Sequence, residues 1–317
     1  MKKIFKILGI VLLGTFFVIL IFGFLFLRDH KKDTSTYIDY VTTLQTFESP
    51  NGNMKYSDTG SGKPILLIHG VPTNSWMYRN LGKQLSENGY RVIAPDLIGF
   101  GASQRVTNYN LHDFDIQAET LFALMESLEI DSWEQVTHDM GGIISWHMAK
   151  EQPEKISHMY ILNTILYAET FNPPADFSYS NPVHRFVLGL YAHPSIGKLI
   201  VNMMITNGTR DYIIPDSVRV GYWLPIRDGA MSLVHFFTHT KYIKENIDTY
   251  RSWLVDSGIS VSVLWGEDDP FLDSSSAQML QQEMNISDND IVILKGARHL
   301  VAEESYQEIA EFIIEYE

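Results

Sequence analysis

The sequence predicts an α/β domain on a mainly parallel sheet, interrupted by a helical insertion and preceded by one membrane-spanning helix. Three observations carry this. Short β-branched runs alternate with longer stretches of helical spacing, the pattern of strand–helix–strand units. The alternation stops between residues 164 and 245, a stretch rich in aromatics and proline. Structureless loops of that length are rare in compact domains, so this stretch reads as a mostly helical insertion. At the N-terminus, 21 residues pass without a charge.

That uncharged run covers residues 7–27 (ILGIVLLGTFFVILIFGFLFL). As a helix it spans about 32 Å, enough for a bilayer core of about 30 Å. A cleaved signal peptide has a shorter apolar region and ends in small residues. Here the run ends in Phe24, Leu25, Phe26 and Leu27, then Arg28. The expectation is an uncleaved single-pass anchor within residues 1–32. Basic residues nearly balance across the run, with Lys2, Lys3 and Lys6 before it and Arg28, Lys31 and Lys32 after it. The expected placement of the domain is outside the cytoplasm. Residues 33–42 (DTSTYIDYVT) read as a short stalk.

The body follows in order. Residues 65–69 (ILLIH) read as a buried strand, 76–85 as a helix, and 90–94 as a strand closed by Pro95. Over 111–128, Leu111, Phe114, Ala118, Leu121, Leu124, Met125 and Leu128 recur at helical spacing. Residues 133–138 read as a strand, 142–150 as a helix and 158–163 as a strand. After the insertion come a strand at 259–265, a helix near 276–284, a strand at 291–294 and a helix from about 301 to 314. The core is therefore expected over 43–163 and 246–317, and the cap over 164–245.

Composition narrows the function. Of 317 residues, 45% are hydrophobic and 20% charged, an ordinary globular balance. No cysteine is present, which excludes disulfides, a thiolate nucleophile and cysteine-ligated metals. Residues 1–32 hold six basic residues against Asp29, a charge of +5. The whole chain is −14, so the remainder carries −19. A nucleic-acid partner is not expected on so acidic a body.

The sharpest local signal is Val136-Thr137-His138-Asp139-Met140-Gly141-Gly142, with a strand running in and a helix running out. Small residues after Asp139 allow a tight turn that raises its side chain at the carboxyl end of the sheet. This is the nucleophile-elbow pattern, with Thr137 for the first glycine and Asp139 in place of serine. Trp265-Gly266-Glu267-Asp268-Asp269-Pro270 follows a later strand, and Gly296-Ala297-Arg298-His299 follows the last one. Nucleophile, acid and histidine thus occur in the order Asp139, Asp269, His299. Upstream lie His69-Gly70-Val71-Pro72-Thr73 and Asp96-Leu97-Ile98-Gly99-Phe100-Gly101-Ala102-Ser103.

Over residues 45–317 these motifs strongly resemble the α/β-hydrolase superfamily. Asp at the elbow resembles its epoxide hydrolase and haloalkane dehalogenase branches. HGVPTNSWMYRNL and APDLIGFGAS look particularly like the dehalogenases, whereas GYRVIAPDL and HDMGG suit either; Asn163 at its strand end fits both. The resemblance implies an eight-stranded, mainly parallel sheet with a helical cap. It also implies an oxyanion hole from the backbone N–H groups of Val71 and Met140. No cofactor and no metal are expected. A carboxylate is already anionic at neutral pH and can displace a leaving group at an sp³ carbon, giving an alkyl ester on Asp139. His299, oriented by Asp269, then activates water against that ester.

The leaving group separates the branches. Dehalogenases usually place a Trp just after the nucleophile and often an N–H donor after His-Gly. Here those positions hold Met140 and Val71, whose side chains donate nothing. A second donor would come from the cap, where Trp223 is the only tryptophan. Epoxide opening needs acids on the ring oxygen, which the family takes from two cap tyrosines. The candidates are Tyr167, Tyr179, Tyr191, Tyr212, Tyr222 and Tyr242, with Tyr191 and Tyr242 chosen because one usually lies early and one late in the cap. The sequence therefore favours epoxide hydrolysis on a small apolar substrate. Haloalkane dehalogenation and an inactive binding protein on the same fold remain as alternatives.

Plainer roles compete at several positions. Asp139 is a favoured type for capping the next helix. Asp268 rivals Asp269. His69 and Asp96 are expected to support loops. His235 and His239 have metal-compatible spacing but no evident third ligand, and Gly60-Ser61-Gly62-Lys63 lacks phosphate-loop spacing.

Overall fold

The computed structural model describes residues 34–106, 113–174, 177–178, 180–191, 193–210, 214–228 and 231–316. Its frame is one sheet of eight strands: β1 (Gln45–Ser49), β2 (Gly52–Gly60), β3 (Lys63–Ile68), β4 (Tyr90–Asp96), β5 (Trp133–Asp139), β6 (Ile156–Thr164), β7 (Val261–Gly266) and β8 (Ile291–Leu294). Their spatial order is β1-β2-β4-β3-β5-β6-β7-β8. β1 and β2 pair antiparallel, β2 pairs antiparallel with β4, and every later pairing is parallel. Buried parallel strands read as continuous apolar runs, which is why residues 65–68 carry no alternation.

The order matters for function. From β3 the chain moves outward to β4, then returns to lay β5 on the other side of β3. This reversal opens a crevice at the carboxyl ends of β3 and β5, where open α/β sheets place their ligands. His69-Gly70-Val71 leaves β3 there, and Asp139 ends β5.

The helices are α1 (Ser35–Thr43), α2 (Arg79–Glu87), α3 (Phe114–Ser127), α4 (Met140–Glu151), α5 (Pro182–Tyr191), α6 (Pro194–Asn207), α7 (Asp216–Trp223), α8 (Met231–Val255), α9 (Ser275–Met284), α10 (Val301–Glu304) and α11 (Tyr306–Glu315). A 3₁₀ turn at Ser75–Tyr78 precedes α2. The core is continuous across the sheet, with Trp133, Trp146 and Trp265 among its largest fully buried side chains.

Three details depart from the sequence expectation. Residues 33–42 do not form a stalk from Ser35 onward, because α1 packs on the domain. Tyr37 is buried edge-on against Trp76 at 5.6 Å. Tyr40 also meets Trp76, at 4.9 Å, and donates its hydroxyl to Ser75 Oγ at 2.8 Å. Pro95 does not close β4. Pairing with β3 ends at Ile93, but pairing with β2 continues through Asp96. Nor does helical structure break at residue 245, since α8 runs on to Val255 and buries Ile247, Tyr250 and Leu254. The anchor expected over residues 7–27 lies outside the described residues. Among the described residues, no helix is long and apolar enough to cross a membrane.

Two loop residues named from sequence are fastened into this frame. His69 Nδ1 donates to Gly70 O at 2.9 Å, and its Nε2 accepts the Leu97 N–H at 3.0 Å. Burial pushes this imidazole down to about 4, so it stays neutral. The buried Asp96 carboxylate accepts from the Ser75 N–H (2.8 Å), the Ser75 hydroxyl (2.6 Å) and the Ala102 N–H (2.6 Å). It joins the loops after β3 and β4, both of which border the crevice. Asp96→Ala strips buried donors of their acceptor and is expected to cost at least about 2 kcal/mol. Urea unfolding of the variant beside the parent checks this.

Candidate active site

Asp139 sits at the junction of β5 and α4 with φ 52° and ψ −123°. A non-glycine residue at positive φ is uncommon and costs on the order of 1–3 kcal/mol. The neighbouring packing compensates. Thr164 Oγ1 donates to the Asp139 carbonyl at 2.6 Å. The chain approaches so closely that a Cβ on Gly142 would lie 1.9 Å from Thr164 Oγ1. On the β3 side, a Cβ on Gly70 would lie 2.4 Å from the Asp139 Cβ. The glycines of both motifs are therefore required by contact.

The Asp139 side chain does not cap α4. It turns instead toward the β3 loop, where the Val71 N–H donates to its Oδ1 at 2.7 Å. The Met140 N–H, the other group assigned from sequence, also favours the charged form of this buried carboxyl. Burial raises Asp139 above its ordinary value, while His299 and the two N–H donors pull the other way.

His299 Nε2 faces Asp139 Oδ2 at 3.7 Å, and its Nδ1 donates to Asp269 Oδ2 at 2.8 Å. Asp269, not Asp268, is thus the partner of the imidazole. Asp269 is held on every side. Its Oδ2 also accepts from Asn163 Nδ2 at 2.6 Å, and its Oδ1 accepts from the N–H groups of Phe271 (2.8 Å) and Leu272 (3.1 Å). Burial favours the neutral acid, but His299, Asn163 and the Phe271 N–H outweigh it and hold Asp269 below the usual carboxylate range. For His299, burial opposes the charged form, and the charge and hydrogen bond of Asp269, then Asp139, outweigh it. Its imidazole lies above the ordinary histidine value.

Sequence reasoning did not single out His138. Its Nε2 donates to the His299 carbonyl at 2.9 Å, and the two rings lie 4.6 Å apart. Burial, then the nearby His299, push His138 down to about 3, so it stays neutral. Its place just before Asp139 was the available signal, but its contact with the loop after β8 lies 161 positions away in the chain.

A cavity of about 340 Å³ opens beside Met140. Phe100, Phe114 and Phe236 form apolar walls, with Ser232, His235, His239 and Tyr242 along α8. Asp113, Asp115, His147 and Tyr250 complete it. Of the cap candidates, Tyr242 lines this cavity, and Tyr250, which sequence reasoning missed, lines it too. Tyr167 does not serve it, since its hydroxyl donates to Glu283 at 2.7 Å. Tyr222 is buried and donates to Glu303. Tyr191 is the last residue of α5, and Tyr179 and Tyr212 lie outside the described residues. Trp223 is not among the lining residues described; Lys198 Nζ lies over its ring at 3.7 Å.

Fold and site together define a hydrolase on the α/β-hydrolase fold. The family described as alpha/beta hydrolase fold matches residues 63–187. A haloalkane dehalogenase of Mycobacterium marinum is 27% identical over 294 residues, covering 89% of this chain and 93% of that protein. Haloalkane dehalogenase 1 of Mycobacterium tuberculosis is 32% identical over 165 residues, about half of either chain (52%). Among solved structures, a haloalkane dehalogenase from Bradyrhizobium elkani superposes with a TM-score of 0.68 at 19% identity, covering 86% of this chain and 96% of that one. An epoxide hydrolase from Vigna radiata gives 0.67 at 20% identity, with the same coverage of 86% and 96%.

The electrostatics of the dyad can be tested without a substrate. His299 is expected to titrate above an ordinary histidine. In Asp269→Asn the larger of the two charges that offset burial is gone while that of Asp139 stays, so the pKa of His299 is expected to fall from the parent's value. An NMR titration of the ring signals reads this directly.

Proposed function

We propose that the protein hydrolyses epoxides of apolar substrates to diols through an ester on Asp139. The observation that carries this reading is the lining of the cavity. Among the described residues beside Met140 it offers the phenols of Tyr242 and Tyr250, and no indole or side-chain amide N–H for a departing halide.

In the first step an Asp139 oxygen attacks a ring carbon. The carbon–oxygen bond of the ring breaks, and the oxygen takes a proton from the phenol pair. In the second, His299 removes a proton from water, which attacks the ester carbonyl of Asp139. The N–H groups of Val71 and Met140, aimed at that carboxyl, hold the charge on the tetrahedral intermediate. One such donor is worth about 10²–10³ in rate. Collapse expels the diol oxygen, which takes the proton back from His299. Asp139 then ionises, and its proton restores the phenol. The second step needs a neutral imidazole. Turnover is therefore expected to fall as the pH drops through the raised pKa of His299.

Dehalogenation is the second reading. It is favoured by the relative bearing that name across 89% of this chain, and it shares the ester and its hydrolysis. We further propose that residues 7–27 anchor the enzyme in a bilayer with the domain outside the cytoplasm. The uncharged length of that segment supports the anchor, and protease protection in sealed vesicles checks the side.

His299→Gln is expected to trap the ester. After incubation with pools of lipophilic epoxides and haloalkanes, intact mass should rise by a whole epoxide, located on the Asp139 peptide. A gain equal to a haloalkane less HX would instead establish dehalogenation. In the parent, Tyr242→Phe with Tyr250→Phe is expected to slow epoxide turnover by about 10²–10⁴. Unchanged turnover in that double variant would remove the phenols from the mechanism.

A further inference from the structure

We infer that the cap hairpin α5–α6 is a docking surface for an anionic lipid bilayer. Exposed large hydrophobic side chains are not scattered over this protein. Seven are exposed among the described residues, and five of them lie on this hairpin, the others being Ile38 and Tyr242. Val183 and Phe186 are 66% and 68% exposed, and Leu190 continues their line along α5. Leu199 and Met203 stand four apart on α6, the spacing that places two side chains on one helix face. α5 packs against α6, so the two rows lie on neighbouring helices. Single exposed apolar residues need no explanation, but contiguous ones mark an interaction surface.

Charge identifies the occupant. From residue 177 to 210 the sequence contains no Asp or Glu; the hairpin holds Arg185 and Lys198, and Arg210 beyond it donates to the Gly296 and Lys295 carbonyls. Acids make up 38 of 317 residues, so a stretch of this length would ordinarily carry about four. An acid-free, basic and apolar hairpin on an otherwise acidic body complements an anionic membrane surface. A second copy suits it less. A twofold dimer sets each patch against itself, bringing Arg185 and Lys198 toward their own counterparts.

The tether leads to the same place, and this part rests on the proposed anchor. Six residues lie between Leu27 and Thr34, so the seven Cα-to-Cα steps reach at most about 25 Å. α1 begins just after Thr34 and packs on α7, and α7 packs on α6. Two helix spacings of about 8–10 Å each therefore separate the start of the domain from the hairpin. An anchored chain holds this part of the cap beside the bilayer, where an apolar substrate leaving the lipid meets the cap before the core.

The absence of cysteine allows single-cysteine probes in the full chain. Phe186→Cys, Met203→Cys, Thr15→Cys and Ser132→Cys would each carry an environment-sensitive fluorophore. Ser132 is exposed just before β5, at the end of the sheet away from the cap. Each variant is reconstituted into phosphatidylcholine–phosphatidylglycerol vesicles containing spin-labelled lipid. Probes at 186 and 203 are expected to be quenched several-fold more than the probe at 132, and less when phosphatidylglycerol is omitted. Equal quenching at 186, 203 and 132 overturns the docking surface. If Thr15 is quenched in that case, the anchor stands alone; if it is not, both fail. Quenching at 186 and 203 without quenching at 15 keeps the surface and removes the anchor. Concentration-dependent self-quenching at 186 without vesicles would assign the hairpin to a second copy and overturn the proposal.

Discussion

The structure depends first on holding one buried carboxyl group, that of Asp139, forward at the junction of β5 and α4. Asp139 pays a backbone cost to stand at positive φ, and a desolvation cost because it is buried. Both are met by neighbours that the sheet order brings together. The N–H of Val71 arrives from β3 and that of Met140 from the start of α4, and they converge because β3 and β5 are adjacent at the reversal of the sheet. The close glycine contacts follow from the same requirement. A side chain at position 70 would occupy the space of the Asp139 side chain, and one at 142 would break the contact that fixes its backbone. The groups that favour the resting carboxylate would also face an ester carbonyl at the same carbon, so in the proposed mechanism one arrangement would serve both chemical steps.

The second dependence is on the segment carrying His299, which must be rigid although it lies in a loop. Its imidazole is fixed by Asp269, and its carbonyl by His138. Directly after it, α10 carries Glu303, almost fully buried and in a two-fold contact with Arg79 from α2. Arg79 in turn lies 4.7 Å over the Trp76 ring, and Tyr222 from α7 donates to the same Glu303. Core, cap and histidine loop therefore share one buried ion pair. Losing one partner of such a pair costs far more than the pair contributes, because the other charge is left without solvent or partner. The cap is in this way coupled to the position of His299.

How much of this was legible in the sequence varied with the range of the interaction. The parallel strands were legible because burial on both faces writes a local apolar run. The residues at the strand ends were legible because a tight turn demands small side chains next to Asp139 and the loops follow their strands. Departures appear where the deciding partner is distant. The polar stretch 33–42 gives no local sign of a helix, since its aromatic face is completed by Trp76. Pro95 looks like a strand end until β2 supplies a pairing that outlasts β3. His138 and Asn163 take their partners from β8 and β7 loops more than 100 positions away.

The cap was least legible, for a physical reason. A helix of aromatic and polar residues can bury any of several faces, and only the core beneath it decides which. Tyr222 and Tyr167 resemble ideal proton donors by composition, yet their hydroxyls are committed to Glu303 and Glu283. Tyr250 looked like core, yet it lines the cavity from the far part of a helix that runs past the expected boundary. In the proposed mechanism the core chemistry is common to any leaving group, since an ester on Asp139 and its hydrolysis by His299 would need nothing from the cap. On the proposed reading the cap would set which bond can break and from where the substrate comes. Asp139 would then mark a class of reaction, and the side chains along α8 and the face of α5–α6 the particular one.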